Sequence, residues 1–312
     1  GFSYNKAIIT ELLRKKYHYD GVVCTDWGLV TDSKIGPVNF PARAWGVENL
    51  NTGERVQRII DAGVDQFGGE NLPDVIVKLV KEGKVSEKRI DESIVRLLRL
   101  KFQLGLFDNP FVDEKKAAEI VGRADFMAAG QDDMRRSLTL LKNDAHTLPL
   151  APNKLKIYVK NVDAKLATQY GTVVTDPKEA DIAIIRLQTP NYPIPEAKGN
   201  FIAQMVHWGD LDFKGKQLQD ILDLEKTVPT VVDVYIDRPA VIPEISANAK
   251  ALFASFGSSD AALLEVVFGK YKPQGHLPIE LPSSMEAVRN QKEDMPYDSK
   301  DPLYKFGAGL SY

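Results

Sequence analysis

Two short apolar runs near the start of the chain, Gly21-Val22-Val23-Cys24-Thr25 and Gly63-Val64-Asp65-Gln66-Phe67, restrict its fold more than any other feature. Each follows a stretch with apolar residues at helical spacing: Ile8, Ile9, Leu12, Leu13 and Tyr17 in residues 5–17, then Val56, Ile59 and Ile60 in residues 54–62. Each also stops abruptly, on Asp26-Trp27-Gly28 and on Gly68-Gly69-Glu70. Compact apolar runs of this length are typical of strands buried on both faces of a parallel sheet. Their alternation with helices predicts right-handed crossovers in an α/β arrangement. Two further helices follow, residues 72–82 and a segment N-capped by Ser86 with Ile90, Ile94, Leu97, Leu98 and Phe102 on one stripe. Two strands can neither close a barrel nor bury both faces, so this half is expected to be incomplete by itself. The chain enters its first amphipathic helix almost without preamble, which suggests a piece of a longer protein.

From about residue 126 the pattern changes. A helix over residues 126–141 leads into Leu148-Pro149-Leu150, and apolar strands recur at 156–159, 182–187, 231–236 and 251–255. Helical stretches at 218–224 and 261–268 lie among them, so a second α/β domain with its own sheet is expected. The division read from the sequence is 1–108, a linker at 109–125, and 126–312. Residues 29–53 read as a long loop, and loops longer than about 12 to 15 residues are usually functional.

Composition excludes several classes. At 44% hydrophobic and 27% charged, the 312 residues are those of an ordinary globular protein, and a formal net charge of -3 offers no basic field for nucleic acid. No apolar run approaches the roughly 18 residues of a membrane span. The single cysteine, Cys24, excludes an intramolecular disulfide framework and a multi-cysteine metal site; its place in the first run suggests a core residue rather than a redox thiol. His18, His146 and His276 have no companions at metal-ligand spacing. Gly257-Ser258-Ser259-Asp260 reads as a helix N-cap rather than an anion site.

The sharpest local feature is Asp26, at the end of a buried run and followed by an aromatic residue and a glycine. In α/β folds, side chains at the carboxyl ends of strands converge on the ligand crevice. A carboxylate there can be a nucleophile, a general base or a metal ligand, and Trp27 offers a flat apolar face of the kind that packs against a sugar ring. The plainer alternative is that Asp26 caps the following turn and Trp27 belongs to the core.

The blocks GVVCTDWG, DAGVDQFGGE, KFQLGLFDNPFVD, SLTLLKN with LPL, FGSSDAALLEVVFGKYKPQGHLPIELP and DPLYKFGAGLSY resemble, in order, the C-terminal half of family 3 glycoside hydrolases, the β-glucosidase class. The resemblance runs over nearly the whole chain. It implies the C-terminal part of a (β/α)8 TIM-type barrel followed by an α/β sandwich domain, with a retaining mechanism acting in a cleft between barrel and sandwich. Asp26 matches the family's nucleophile on barrel strand 7, and residues 64–67 match strand 8. Strands 1 to 6 are then not in this chain, and neither are the sugar-binding residues they carry. The implied partner is an N-terminal barrel half, present as a separate chain or as a missing segment.

Retaining hydrolysis needs a second carboxyl group about 5 to 5.5 Å from the nucleophile, first as acid and then as base. The best match is Glu196 in Pro193-Ile194-Pro195-Glu196-Ala197-Lys198-Gly199, since one branch of the family has an E-x-K-G sequence here. The sequence after it departs from that branch, which keeps Glu70 and Asp210 in reserve. Trp27, Arg43, Trp45 and His207 are candidates to touch substrate, with Glu48 on the same loop as Arg43. The implied substrate is an oligosaccharide or aryl β-glycoside, most simply a β-glucoside, with β-xylosidase, exoglucanase or a non-catalytic piece of a split enzyme as alternatives. The chemistry requires neither cofactor nor metal. Association between copies is left open, as is the compartment, with the periplasm or extracellular space favoured.

Overall fold

The computed structural model describes residues 1–35, 38–195 and 201–312. They fall into two compact units, Gly1–Ala117 and Ala118–Tyr312.

In the first unit the opening helix, Ala7–Lys16, is wound with i to i+5 hydrogen bonds, as where Tyr17 N–H reaches the Leu12 carbonyl at 3.0 Å. Helix α1, Thr52–Ala62, starts at a reciprocal cap: the Asn51 side chain accepts from Glu54 N–H and the Glu54 side chain accepts from Asn51 N–H. Gly63 ends it in the left-handed region at φ 100°, and a Cβ there would lie 2.7 Å from Thr10 Oγ1 of the opening helix. Val56, Ile59 and Ile60 of α1 pack with Tyr4, Ile9, Val30, Val64 and Leu79 in this unit's core. Helices α2, Pro73–Lys81, and α3, Glu87–Gln103, follow.

The two apolar runs do not form the strands expected of them. They touch through one parallel bridge, Cys24 to Gln66, with Thr25 N–H on the Gln66 carbonyl and Asp65 N–H on the Val23 carbonyl, both at 2.9 Å. A doubly buried parallel strand needs a neighbour on each side, and among the described residues each run has one. Alternation along the first run turns Thr25 into the interior, at 2% exposure, and leaves Cys24 and Asp26 exposed. Cys24 is therefore not a core residue in this chain. The long loop also contains a small hairpin, β1 (Ser33–Ile35) with β2 (Val38–Phe40).

Asp65 ties this unit together. Its buried carboxylate accepts from Val23 N–H at 2.9 Å, Ser93 Oγ at 2.8 Å and Arg96 Nη1 at 2.9 Å, and pairs with Arg14. Burial alone would raise its pKa, but these hydrogen bonds and charges prevail and hold the carboxyl below the usual range. Opening helix, first run, second run and α3 thus meet at one charge.

A helix, α4 (Glu114–Ile120), occupies the stretch read as linker, and the division between the units falls within it. The second unit opens with α5, Ala124–Ser137. The helix expected to continue to residue 141 stops here instead. Leu138 is extended and Thr139–Asn143 form β3, pairing antiparallel with β8, Ala251–Ser255. The remaining strands are β4 (Lys156–Lys160), β5 (Thr172–Val174), β6 (Ile182–Gln188) and β7 (Thr230–Tyr235), in the order β3-β8-β7-β6-β4-β5, and β8-β7-β6-β4-β5 are parallel. Connecting helices are α6 (Ala164–Ala167), α7 (Phe201–Gln204), α8 (Gly215–Thr227), α9 (Pro243–Asn248), α10 (Asp260–Val267) and α11 (Met285–Arg289).

Alternation along the strands builds two cores. Ala183, Ile185, Val232, Val234 and Leu252 face α8 and α9 through Ile221, Leu224 and Ile245; Ile184, Val231, Ala251 and Phe253 face α10 through Leu263, Leu264 and Val267. The sheet is therefore covered on both faces, as an α/β sandwich requires. Ser259 caps α10 by accepting from Ala262 N–H, so the Gly257 to Asp260 stretch is an N-cap.

Candidate active site

Asp26 ends the first run with its carboxylate exposed and held at both oxygens. Oδ1 accepts from Trp27 N–H at 2.8 Å, and Oδ2 lies 2.8 Å from Arg43 Nη2, which also donates to the Trp27 carbonyl. The Trp27 ring, 63% exposed, rests along Gly68 and Gly69 at the end of the second run. A Cβ on Gly69 would fall inside the indole, and one on Gly68 would collide with the Thr25 carbonyl and crowd the indole at 3.0 Å. Trp27 is thus an open aromatic surface beside a carboxylate and not a core residue. Asp26, Trp27 and Arg43 are brought together here.

The other candidates on this unit differ. Trp45 is 61% exposed. Glu48 accepts from Gly46 N–H through both oxygens at 3.0 Å, a contact that lowers its pKa. Glu70 is fully engaged: Oε1 accepts from Val30 N–H at 2.8 Å and Thr31 N–H at 3.3 Å, and Oε2 from Thr31 Oγ1 at 2.6 Å. That arrangement gives it a structural part in the loop after Asp26.

In the second unit, Glu196 lies outside the described residues. The ends of its segment are fastened: Tyr192 N–H donates to the Trp208 carbonyl at 2.9 Å, Trp208 N–H to Asn191 Oδ1 at 2.8 Å, and Arg238 Nη1 to the Gly209 carbonyl at 3.0 Å. His207 faces the Asp237 carboxylate through Nδ1. Asp210 is gripped by Lys214 and by Arg289 at 2.7 Å; these hydrogen bonds, Lys214 first, lower its pKa, the reverse of what a proton donor needs.

A cavity of about 820 Å³ opens at the carboxyl ends of β4, β6, β7 and β8. It sits where the strand order reverses, since β4 leads outward to β5 while β6 lies on its other side, the usual ligand position in such sheets. Asn161, Gln188, Asn191, Gln217, His207 and Tyr235 contribute to its wall. Arg186 also lines it, but its guanidinium is occupied by Asp233 at 2.8 Å, Asp260 at 2.7 Å and the Ser258 carbonyl at 2.8 Å. The remaining carboxamides and rings suit hydroxyl groups better than a charged ligand. Among the described residues, no group of three or more His, Cys, Asp or Glu is placed to hold a metal ion.

Residues 2–100 match the glycosyl hydrolase family 3 N-terminal domain and residues 164–312 the glycosyl hydrolase family 3 C-terminal domain. The chain belongs to glycosyl hydrolase family 3. It is 49% identical to β-glucosidase C of Emericella nidulans, over 100% of this chain and 50% of that protein, and 40% identical to the periplasmic β-glucosidase/β-xylosidase of Dickeya chrysanthemi, over 100% and 49%. The chain spans about half the length of these relatives. A β-glucosidase from Listeria innocua, solved in complex with glucose, superposes with a TM-score of 0.76 at 21% identity, over 99% of this chain and 49% of that one. The fold is accordingly the C-terminal part of a family 3 barrel followed by the α/β sandwich. Sequence reasoning missed Glu70 as a loop anchor and Asp237 behind His207. The Gly68-Gly69 pair was the available signal for close approach at the end of the second run.

Proposed function

We propose that this chain carries the nucleophile of a retaining exo-acting β-glycosidase, most simply a β-glucosidase. The observation that carries the reading is the Asp26 carboxylate, oriented by Arg43 and the Trp27 N–H beside an exposed indole. Asp26 attacks the anomeric carbon from the face opposite the leaving group. The glycosidic bond breaks as the departing oxygen takes a proton, and a glycosyl ester forms on Asp26. Water, deprotonated by the group that gave the first proton, then attacks the same carbon and frees the carboxylate with net retention. Trp27 offers a stacking face for the sugar.

The acid/base role falls to Glu196. The engagement of Asp210 by Lys214 and Arg289, and of Glu70 by Val30 and Thr31, supports that choice. The partner in this reading is an N-terminal barrel half, as a separate chain or a missing segment, in keeping with relatives about twice as long as this chain. Its support is the apolar surface that α3 leaves exposed, Ile94, Val95, Leu98 and Phe102, continuing to Leu104 and Phe107. A β-xyloside is the second reading, favoured by the double name of the Dickeya relative. Asp26→Ala in the protein extended to its relatives' length tests the assignment: aryl β-glucoside hydrolysis should vanish, and near-normal turnover would remove Asp26 from the role.

A further inference from the structure

We infer that Glu70, together with Gly68 and Gly69, is a positioning device for the nucleophile: it locks the segment after Asp26, so that Asp26 and Trp27 keep one arrangement. The inference rests on the glycosidase reading above. It goes beyond it by giving Glu70 a task in neither proton transfer nor nucleophilic attack.

The segment from Trp27 to Thr31 has almost no secondary structure of its own, yet its backbone is pinned group by group. The carbonyls of Trp27, Gly28, Leu29 and Val30 accept, in order, from Arg43 Nη2, Arg43 N–H at 2.9 Å, the Tyr4 hydroxyl at 2.6 Å and Arg55 Nη1 at 3.0 Å. All of these partners donate. Glu70 accepts from the N–H groups of Val30 and Thr31 and from Thr31 Oγ1. Removing it leaves those donors without their acceptor at the back of the segment, where Val30 is completely buried.

The second contact comes from the same turn. Thr25 Oγ1, just before Asp26, accepts from Gly68 N–H at 2.8 Å, and the Trp27 indole lies against Gly68 and Gly69. Gly69 has φ 65°, a conformation costly for other residues, and a Cβ built on it would fall inside the indole. One turn thus grips the nucleophile segment on both sides of Asp26: at Thr25 before it, and at Trp27 and Val30-Thr31 after it.

Displacements of about 1 Å at a reacting group can cost on the order of 100-fold in rate. The test is the rate at which an activated glucoside, with fluorine in place of its C2 hydroxyl, traps the ester on Asp26 in the full-length protein. Relative to wild type, Glu70→Ala should label roughly 10- to 100-fold more slowly at saturating probe, with the half-saturating concentration little changed. Glu70→Gln, which keeps an acceptor oxygen, should recover most of the rate. Thr31→Val, which removes only the hydroxyl, should fall between and serves if Glu70→Ala does not fold. Wild-type labelling of Glu70→Ala and Thr31→Val, or a change confined to half-saturation, would overturn the inference. Wild-type protein that takes no label on Asp26 would instead count against the glycosidase reading. The brace is then decided in this chain, whose tryptophans are 3 in number: with Trp45 and Trp208 replaced by Phe, Glu70→Ala should lower the fluorescence anisotropy of Trp27, and unchanged anisotropy overturns it.

Discussion

Arg43 places one guanidinium nitrogen 2.8 Å from the Asp26 carboxylate and turns the same nitrogen to the Trp27 carbonyl, so a single side chain fixes both the candidate nucleophile and the residue beside it. A lysine ammonium carries the charge but is a compact point charge on a flexible stem, without the rigid plane that fixes the directions of the guanidinium N–H groups. Arg43→Ala is expected to lower kcat of the assembled enzyme on aryl β-glucosides by roughly 10- to 100-fold, and Arg43→Lys to restore only part. Full restoration by lysine would reduce the role of Arg43 to its charge.

Trp27 presents its free face to solvent and its other face to the glycines. Trp27→Ala should therefore raise KM more than it lowers kcat, by roughly 10-fold or more, and Trp27→Phe should restore part of the affinity. An unchanged KM in Trp27→Ala would place the indole away from substrate.

If Glu196 is the proton donor, Glu196→Ala should lose most turnover and azide should restore it, with a β-glycosyl azide as product. Asp210→Asn should retain turnover within a few-fold of wild type, because its carboxylate is already committed to Lys214 and Arg289. Azide rescue of Asp210→Ala in place of Glu196→Ala would exchange the assignments.

Two buried carboxyls make opposite predictions for stability against pH. Asp65 has a lowered pKa in the fold, so its contribution is present above the unfolded value of about 3.9 and disappears as pH falls through the folded one. Asp65→Ala should cost about 3 to 5 kcal/mol by leaving Arg14 and Arg96 without their partner. Glu225 is the reverse case. Burial pushes it up to about 8, against the pull of Lys142, and neither of its oxygens has a hydrogen-bond partner among the described residues. Its stabilising contribution is complete below the unfolded pKa of about 4.3 and is lost as pH rises toward 8. Urea unfolding of the second unit should show stability declining between these limits, by at most about 1.4 kcal/mol per pH unit. Glu225→Gln should flatten that slope; an unaltered slope would move the titration to another group.

Much of this was legible in the sequence where the signal is local. The stop at Asp26-Trp27-Gly28 marks where the first run ends on an exposed carboxylate, Ser86 and Ser259 announce helix starts, and the strands β6, β7 and β8 are apolar on both faces because the sheet is covered on both. The failures are non-local. Leu138 to Leu141 carry residues that suit a helix stripe as well as a strand, and pairing with Phe253 and Ala254 decides between them. Cys24 reads as core only if a strand covers its side of the run. Glu70 owes its role to Val30 and Thr31, some forty positions away, a contact no spacing rule contains.

The most direct test of the central claim is to trap the glycosyl ester in the full-length protein with the fluorinated glucoside, digest it, and identify the modified residue by mass spectrometry. The expected result is a single label on Asp26. A label on any other carboxylate, with Asp26 unmodified, would contradict it.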